Sequence, residues 1–228
     1  MYFDPLYLLF ALPALLLGLF AQARVKSNFN KYSRVATMRG VTGAQVARAL
    51  LDSFGLHDVQ VEAARGFLTD HYDPRSKTLR LSEATYASPS IAAVGVAAHE
   101  MGHALQHSQN YAPLALRSAI VPAAQFGSGL GPWLLFGGMI LNVGALAWAG
   151  IALYAAATAF TLVTLPVEID ASKRAKALLM RQGYLNQQEL VGVNKVLDAA
   201  ALTYVAAAVQ SILTLLYFVL RLTGAQRD

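Results

Sequence analysis

The chain has 228 residues, of which 56% are apolar and only 14% are charged, with a net charge of +5 and no cysteine. A soluble domain carries about 25% charged residues, so this composition predicts a membrane protein. The lack of cysteine excludes disulfides, zinc–thiolate sites and thiol catalysis. We expect the modest positive charge to face lipid headgroups, and we expect no nucleic-acid partner.

The first predicted element is a transmembrane helix over residues 5–23, an uncharged stretch that is long enough to span a bilayer. A signal peptide is the alternative, because Ala21-Gln22-Ala23 resembles a cleavage site. A signal peptide starts with basic residues, however, and residues 1–4 contain none. The basic residues come afterwards, at Arg24, Lys26, Lys31, Arg34 and Arg39. This order predicts a retained anchor, with residue 24 onward in the cytoplasm.

Residues 24–117 are predicted to form a cytoplasmic segment that contains both helices and strands. Thr42 is a candidate cap for a helix over residues 43–53, and Gly55 is placed to end that helix. The apolar side chains of this stretch recur on one face, so we expect that face to pack against a core.

Strand patterns follow this helix. Residues 59–62 alternate as a strand does, and a second strand is expected to start at residues 66–69. Residues 73–76 form a predicted turn, which makes residues 78–82 the hairpin partner of the second strand. By analogy with zinc proteases, residues 78–82 could be an edge strand to which an extended peptide adds.

The next element is a helix over residues 90–108 that carries the sequence His99-Glu100-Met101-Gly102-His103, an HExxH motif. Residues four apart share a helix face, so His99 and His103 can present two imidazoles to one zinc ion. Glu100 lies next to them, where its carboxylate can act as general base toward a metal-bound water. The alternative is a chance match on a solvated helix.

Three further spans are predicted in the C-terminal half. Residues 118–167 contain no charge, which fits two transmembrane helices with a turn near residues 137–142. A basic cytoplasmic segment follows over residues 168–198, and residues 199–220 form the last uncharged span. Two crossings separate His103 from residue 168, so both sides of a metal site would lie on one face of the membrane.

A zinc protease site needs a third protein ligand and an open position for water. His107 continues the four-residue spacing, but it lies two helical turns from His99, about 12 Å at 1.5 Å per residue. Glu168 and Asp170, which directly follow an apolar span, are the other candidates. Either carboxylate meets the ligand preference of zinc, and the spacing alone leaves the choice between them open.

The chain resembles the YugP-type neutral zinc metallopeptidases of bacterial membranes, and the resemblance covers nearly all of it. The motifs that carry it are residues 96–107 and 167–172, with further matches at residues 68–75, 81–82, 111–114 and 117. This resemblance implies a gluzincin-like integral membrane protease with one zinc ion per chain. It also favours Glu168 over Asp170 as the third ligand beside His99 and His103.

The chain is distantly similar to the HtpX and Ste24 membrane proteases as well. Those proteases have an Asp four residues after the ligand Glu, where it can orient the first ligand His. Here Ser172 stands at that place, and Asp170 lies two residues after Glu168. A metal-bound His usually donates its second N–H to a carboxylate or carbonyl, so another group must fill this role.

A second polar cluster lies at residues 70–73. His71 or Tyr72 could donate a hydrogen bond to the oxyanion of a tetrahedral intermediate. We include His71 as a candidate catalytic residue beside Glu100. A hairpin turn punctuated by Asp73-Pro74 is the structural alternative.

Together these features predict an α-helical integral membrane protein with about four transmembrane helices and a small α+β, zincin-like cytoplasmic catalytic domain. The expected function is a multi-pass, cell-membrane zinc endopeptidase of bacterial type, with its active site facing the cytoplasm. The expected partners are peptide or protein substrates, including membrane proteins, and the lipid bilayer. Oligomeric state and cleavage preference are not predicted.

Two other function classes compete with this prediction. A non-catalytic membrane scaffold or adaptor could keep the fold and a zinc site, but structural zinc is usually closed by four protein ligands. An ion or zinc transporter is disfavoured, because residues 118–167 carry no ionisable acidic or basic group to line a pathway.

Overall fold

The computed structural model describes residues 5–225 of the chain, and most of these are helical. The elements in chain order are α1 (Pro5–Tyr32), α2 (Gly43–Ser53), β1 (Gln60–Ala64), β2 (His71–Asp73), β3 (Thr78–Ser82), α3 (Glu83–Tyr86), α4 (Ile91–Ser108), α5 (Ala112–Ile140), α6 (Gly144–Arg181) and α7 (Gln187–Ala225).

The chain divides into two compact units. The helical unit is drawn from Met1–Ala21, Ala115–Pro166 and Thr203–Asp228, and the mixed unit from Gln22–Leu114 and Val167–Leu202. The mixed unit contains α2, α3, α4 and all three strands, together with parts of α1, α6 and α7.

In the mixed unit, the structure confirms the predicted helix over residues 43–53 and its Thr42 cap. The Thr42 hydroxyl accepts a hydrogen bond from the Gln45 backbone N–H, and the Gln45 side chain accepts from the Thr42 N–H. This reciprocal capping box satisfies two amide donors that an open helix end would leave unpaired. After the helix, Gly55 adopts a φ of +70°, a conformation that favours glycine.

A hydrophobic core lies between α2, α4, the sheet and the parts of α6 and α7 that belong to the mixed unit. Members that are completely buried include Val46, Leu50, Leu79, Met101 and Leu179. They come from elements far apart in sequence, so burial of this core fixes the position of α4 against α6.

The sheet has the order β1-β3-β2, with β1 parallel and β2 antiparallel to β3. The predicted hairpin is present, since β2 and β3 pair across the turn that follows Asp73. β3 is the central strand, however, so the prediction that residues 78–82 form an edge strand was wrong. The parallel strand β1 covers the side of β3 that we expected to be open.

The hairpin's first strand begins later than predicted. Gly66 and Leu68 have φ values of +109° and +56°, which are turn conformations that a strand cannot contain. The strand therefore begins at His71 instead of within residues 66–69. The apolar pair Phe67-Leu68 imitated a strand pattern but lies on an exposed loop.

The helical unit contains long apolar helices. Among the described residues, three helices are long and apolar enough to cross a membrane, namely α1, α6 and α7. The stretch of residues 118–167 does form two helices, α5 and α6, which are separated at residues 141–143. Asn142, within the predicted turn region, adopts a φ of +56°. α5 is not among the three candidate spans.

The composition of α5 reflects how closely it packs against α6. A Cβ atom on Gly127 would lie 2.2 Å from the Leu153 carbonyl oxygen, and one on Gly138 would lie 2.3 Å from the Ala147 nitrogen. Small residues let helix backbones approach in this way, which is a packing mode typical of membrane helices. The glycines that permit it also lower the mean hydropathy of α5.

Candidate metal centre

The HExxH motif lies in the C-terminal half of α4. The side chain of Ser90 caps the start of this helix by accepting a hydrogen bond from the Ala93 N–H. His99 and His103 follow on one face, with ring centroids 4.9 Å apart and ring planes nearly perpendicular at 83°. The helix thus brings both imidazoles to one point, as the four-residue spacing predicts.

Glu168 reaches the same point from α6. Its Oε2 atom lies 3.2 Å from His99 Nε2 and 3.5 Å from His103 Nε2. A close contact between α4 and α6 makes this possible, because a Cβ on Gly102 would lie 2.8 Å from the Ala171 carbonyl oxygen. A glycine inside the motif therefore lets the two helices approach closely enough for the carboxylate to meet the imidazoles.

The donor atoms fit zinc in type and in spacing. Two imidazole nitrogens and one carboxylate oxygen, from His99, His103 and Glu168, all lie within 4.8 Å of one another. Tetrahedral zinc with ligand bonds of about 2.0–2.1 Å places its ligand atoms about 3.3 Å apart. The measured separations of 3.2 and 3.5 Å agree with that value. Three protein ligands also leave one position for water, as in catalytic sites.

The other nitrogen of each imidazole is also engaged. His99 Nδ1 lies 3.1 Å from the Ser172 hydroxyl, and His103 Nδ1 lies 3.0 Å from Gln106 Oε1. These contacts hold each ring by its Nδ1 edge, which leaves the Nε2 edges directed toward Glu168. Groups that occupy the far nitrogen in this way fix ring orientation and tautomer in metal sites.

The electrostatic surroundings favour positive charge at this point. Burial lowers the pKa of the His103 imidazole, but its hydrogen bond to Glu168 and the negative charge of Glu100 outweigh burial, so the pKa is raised overall. The same carboxylates that hold a proton on the imidazole would stabilise a divalent cation in its place.

Glu100 is buried in α4 beside this cluster, with only 8% of its surface exposed. After the hydrogen bond to Glu168, the negative charge of Glu100 is the next contribution that raises the pKa of the His103 imidazole. Glu100 is not part of the ligand trio, and its role as general base stays a prediction.

The remaining candidate residues lie apart from the trio. Asp170 is not among the three clustered ligand residues, and its Oδ2 accepts hydrogen bonds from Gln106 and Arg174. His107 Nδ1 is paired with the Tyr72 hydroxyl at 2.8 Å. His71 is exposed, and its Nδ1 lies 2.8 Å from the Thr69 carbonyl oxygen. A catalytic role for His71 stays a prediction, and the structure does not bring it to the cluster.

Comparison with known proteins agrees with this geometry. The model of a family described as "Putative neutral zinc metallopeptidase" matches residues 7–223. The chain belongs to this family. It is also 52% identical over 215 residues to a Bacillus subtilis protein described as "Putative membrane protease YugP", and the match covers 94% of this chain and 96% of that relative. No solved structure matches the chain significantly.

These matches confirm the resemblance that the motifs indicated. The structure also bears on the departure from the pattern expected from the HtpX and Ste24 proteases, which have an Asp four residues after the ligand Glu. In this member of the zinc metallopeptidase family, Ser172 occupies that place and its hydroxyl contacts His99 Nδ1. A serine therefore makes the contact for which the sequence offered no carboxylate.

Sequence reasoning missed Gln106, which is completely buried and contacts the second histidine of the motif. A signal for it was present. Gln106 lies three residues after His103, so on a helix the two side chains are neighbours. An uncharged polar residue on the buried face of a metal helix is costly unless it is hydrogen-bonded, and that cost indicates a partner nearby.

Proposed function

We propose that the protein is an integral membrane zinc endopeptidase. The convergence of His99, His103 and Glu168 carries this proposal, because their donor atoms have the type, number and spacing that a catalytic zinc ion requires. Membership of the zinc metallopeptidase family supports the same metal and the same class of reaction.

In the proposed mechanism a bound zinc ion would polarise a water molecule and the carbonyl of the peptide bond that is cleaved. Glu100 accepts a proton from the attacking water and later donates it to the leaving amine nitrogen. Burial of Glu100 keeps this proton from exchanging freely with solvent. Ser172 and Gln106 hold the imidazole rings while the proton moves. No step is assigned to His71.

The proposal includes four membrane crossings, with α5 as the fourth. His103 and Glu168 lie 3.5 Å apart at their nearest polar atoms, so they are on the same face of the membrane. The number of crossings between them must therefore be even. If α6 crosses once, α5 must cross as well, and its uncharged stretch from Ser118 to Ile140 is long enough.

We propose that the site faces the cytoplasm. Basic residues are enriched in cytoplasmic segments, and they occur at residues 24–39 and 173–181, on either side of the site in sequence. The substrates would then be peptides or proteins that reach the cytoplasmic side of the cell membrane, including membrane proteins. The Bacillus relative described as a membrane protease supports the membrane location.

The alternative is a non-catalytic scaffold that retains zinc. Zinc content and cleavage of an unfolded protein such as casein, measured on detergent-purified protein, separate the two functions. We expect Glu100→Gln to retain zinc and lose at least about 100-fold in cleavage rate, the lower range for losing a general base. The matched control is Glu83→Gln, at an exposed carboxylate of α3, which should cleave as wild type does.

The outcomes of this experiment are distinct. Cleavage that depends on zinc but survives Glu100→Gln would contradict the assigned base. Stoichiometric zinc without cleavage in the wild type would favour the scaffold. A wild-type protein that purifies without zinc, and does not take it up, would contradict the metal site itself.

A further inference from the structure

A buried hydrogen-bonded relay connects the second histidine of the motif to α6. Gln106 Oε1 lies 3.0 Å from His103 Nδ1, and Gln106 Nε2 donates to the Val167 carbonyl oxygen at 2.9 Å and to Asp170 Oδ2 at 2.8 Å. Gln106 itself is completely buried. All four residues belong to the mixed unit.

These contacts fix which way the Gln106 amide points. Oxygen and nitrogen of an amide are distinguished by their partners, and a backbone carbonyl and a carboxylate can only accept. The NH2 group must therefore face Val167 and Asp170. The amide oxygen is left to face His103, where it can only accept a hydrogen bond.

An acceptor opposite Nδ1 determines the tautomer of the imidazole. A neutral imidazole carries one proton, so a proton on Nδ1 of His103 leaves the lone pair on Nε2. Nε2 is the nitrogen that lies 3.5 Å from Glu168 Oε2, in the ligand cluster. Gln106 thus selects the tautomer in which the nitrogen facing the cluster can bind a metal.

Asp170 holds Gln106 in this orientation and is itself held in place. Arg174 donates from Nε to Asp170, donates from Nη1 to Gln109 Oε1, and lies 5.5 Å from the centroid of the Tyr111 ring. Asp170 and Arg174 lie four residues apart on α6, so their ion pair is supported by the helix. The relay therefore runs from the C-terminal end of α4 through α6 and back to His103.

We propose that Gln106 is a positioning residue that presents His103 Nε2 to the metal, and that Asp170 acts on the metal site only through Gln106. This inference rests on the proposed zinc site. It explains why a glutamine occupies a fully buried position beside His103.

The test uses zinc-loaded full-length protein with 15N-labelled histidine. Zinc release to a chromophoric chelator gives a dissociation rate, and the exchange of the His103 Nδ1 proton with solvent reports its hydrogen bond. We expect Gln106→Met, which keeps side-chain volume, to speed zinc release about 10–100-fold, the range for lost partners of ligand histidines. The Nδ1 proton should exchange much faster.

A rescue pair distinguishes positioning from a structural role. Gln106→Glu keeps an acceptor for His103 but places a second carboxylate against Asp170, so it should also release zinc faster. Adding Asp170→Asn supplies an amide donor to that new carboxylate and should recover part of the loss, because the new carboxylate still faces the Val167 carbonyl oxygen. Gln182→Met is the matched control, because Gln182 is an exposed glutamine of the same unit that lies outside this relay, and it should release zinc near the wild-type rate.

The contrary results are specific. If Gln106→Met only lowers the unfolding temperature, with zinc release and Nδ1 exchange unchanged, the positioning role is overturned. If Asp170→Asn gives no recovery in the Gln106→Glu background, the action of Asp170 through Gln106 is overturned. A wild-type protein that never binds zinc would contradict the proposed metal site instead, before any variant is compared.

Discussion

The helical unit and the mixed unit treat apolar and polar side chains in opposite ways. In the helical unit, large apolar side chains such as Leu9, Leu16 and Trp133 are more than half exposed. In the mixed unit the large core side chains, such as Leu50 and Leu179, are completely buried, and the buried polar residues Gln106 and Glu168 have hydrogen-bonded partners. Under the proposed function we expect lipid to cover the exposed apolar surface of the helical unit and water to cover the mixed unit.

This contrast shows which part of the molecule each kind of sequence evidence describes. Hydropathy along the sequence predicts the long helices of the helical unit, because exposed apolar side chains on such helices are typical of membrane spans. The mixed unit is instead recognised from helix caps, core patterns and hydrogen-bonding residues, because these features hold its site in place.

The largest effect is expected at the ligand carboxylate. Glu168→Ala leaves only two imidazoles to hold the metal, so we expect loss of stoichiometric zinc and of cleavage. Asp170→Ala is the matched carboxylate in the same turn of α6. It should retain zinc with affinity reduced about 10–100-fold, as for a group that acts through a ligand's partner. Metal analysis and casein cleavage measure both.

The ranking of these two variants is what matters. If Asp170→Ala empties the site and Glu168→Ala does not, then Asp170 is the ligand and the assignment carried by the family resemblance is wrong. The zinc protease proposal would survive that result, because two histidines and a carboxylate would still be present.

Leucine-to-alanine changes should affect the free energy of unfolding differently in the two units. Leu179→Ala in the mixed unit removes a side chain with no exposed surface and should lower the free energy of unfolding by about 2–5 kcal/mol. Leu9→Ala in α1 removes a side chain that is 69% exposed and should change it by less than about 0.5 kcal/mol. Denaturant unfolding in one detergent measures both, and equal losses would contradict the contrast.

A smaller effect is expected at the helix contact inside the motif. The new Cβ in Gly102→Ala would lie 2.8 Å from the Ala171 carbonyl oxygen, so α4 and α6 must separate slightly. Overpacking of this kind costs about 1–3 kcal/mol, and zinc release should become faster. Gly18→Ala, which has no neighbour within 4 Å, is the control and should be neutral or slightly stabilising. Unchanged zinc release in Gly102→Ala would show that Glu168 reaches the imidazoles without this close contact.

Local patterns predicted much of the fold. The capped helix at Gly43–Ser53 and the metal helix are set by residues close in sequence, so short-range rules find them. The place of β3 in the centre of the sheet was missed, because its parallel pairing with β1 joins strands that β2 separates in sequence, and no short-range pattern marks such a pairing. The late start of β2 was missed because the positive φ of Leu68 is unusual outside glycine.

The candidate site could be predicted only in part for a similar reason. The spacing within α4 brings His99 and His103 together, but nothing within α4 indicates where Glu168 lies, since 65 positions and a helical hairpin separate Glu168 from His103. The contact between Gly102 and Ala171 determines that distance, and it is a tertiary feature. Gln106 could have been inferred from its helical neighbour His103, whereas its partner Asp170 could not.

The last prediction concerns membrane sidedness, with cysteines placed where substitution should leave cleavage unchanged. Ser76→Cys and Lys173→Cys lie at exposed positions of the mixed unit, and Leu141→Cys lies between α5 and α6. The chain has no native cysteine to interfere. On intact cells, an impermeant thiol reagent should label Leu141→Cys and should label the other two only after the cells are opened, because basic segments stay in the cytoplasm. Labelling of either mixed-unit position from outside would contradict a cytoplasmic site. Protection of all three would mean that α5 and α6 enter the bilayer without crossing it, which removes two of the four spans but still keeps His103 and Glu168 on one face.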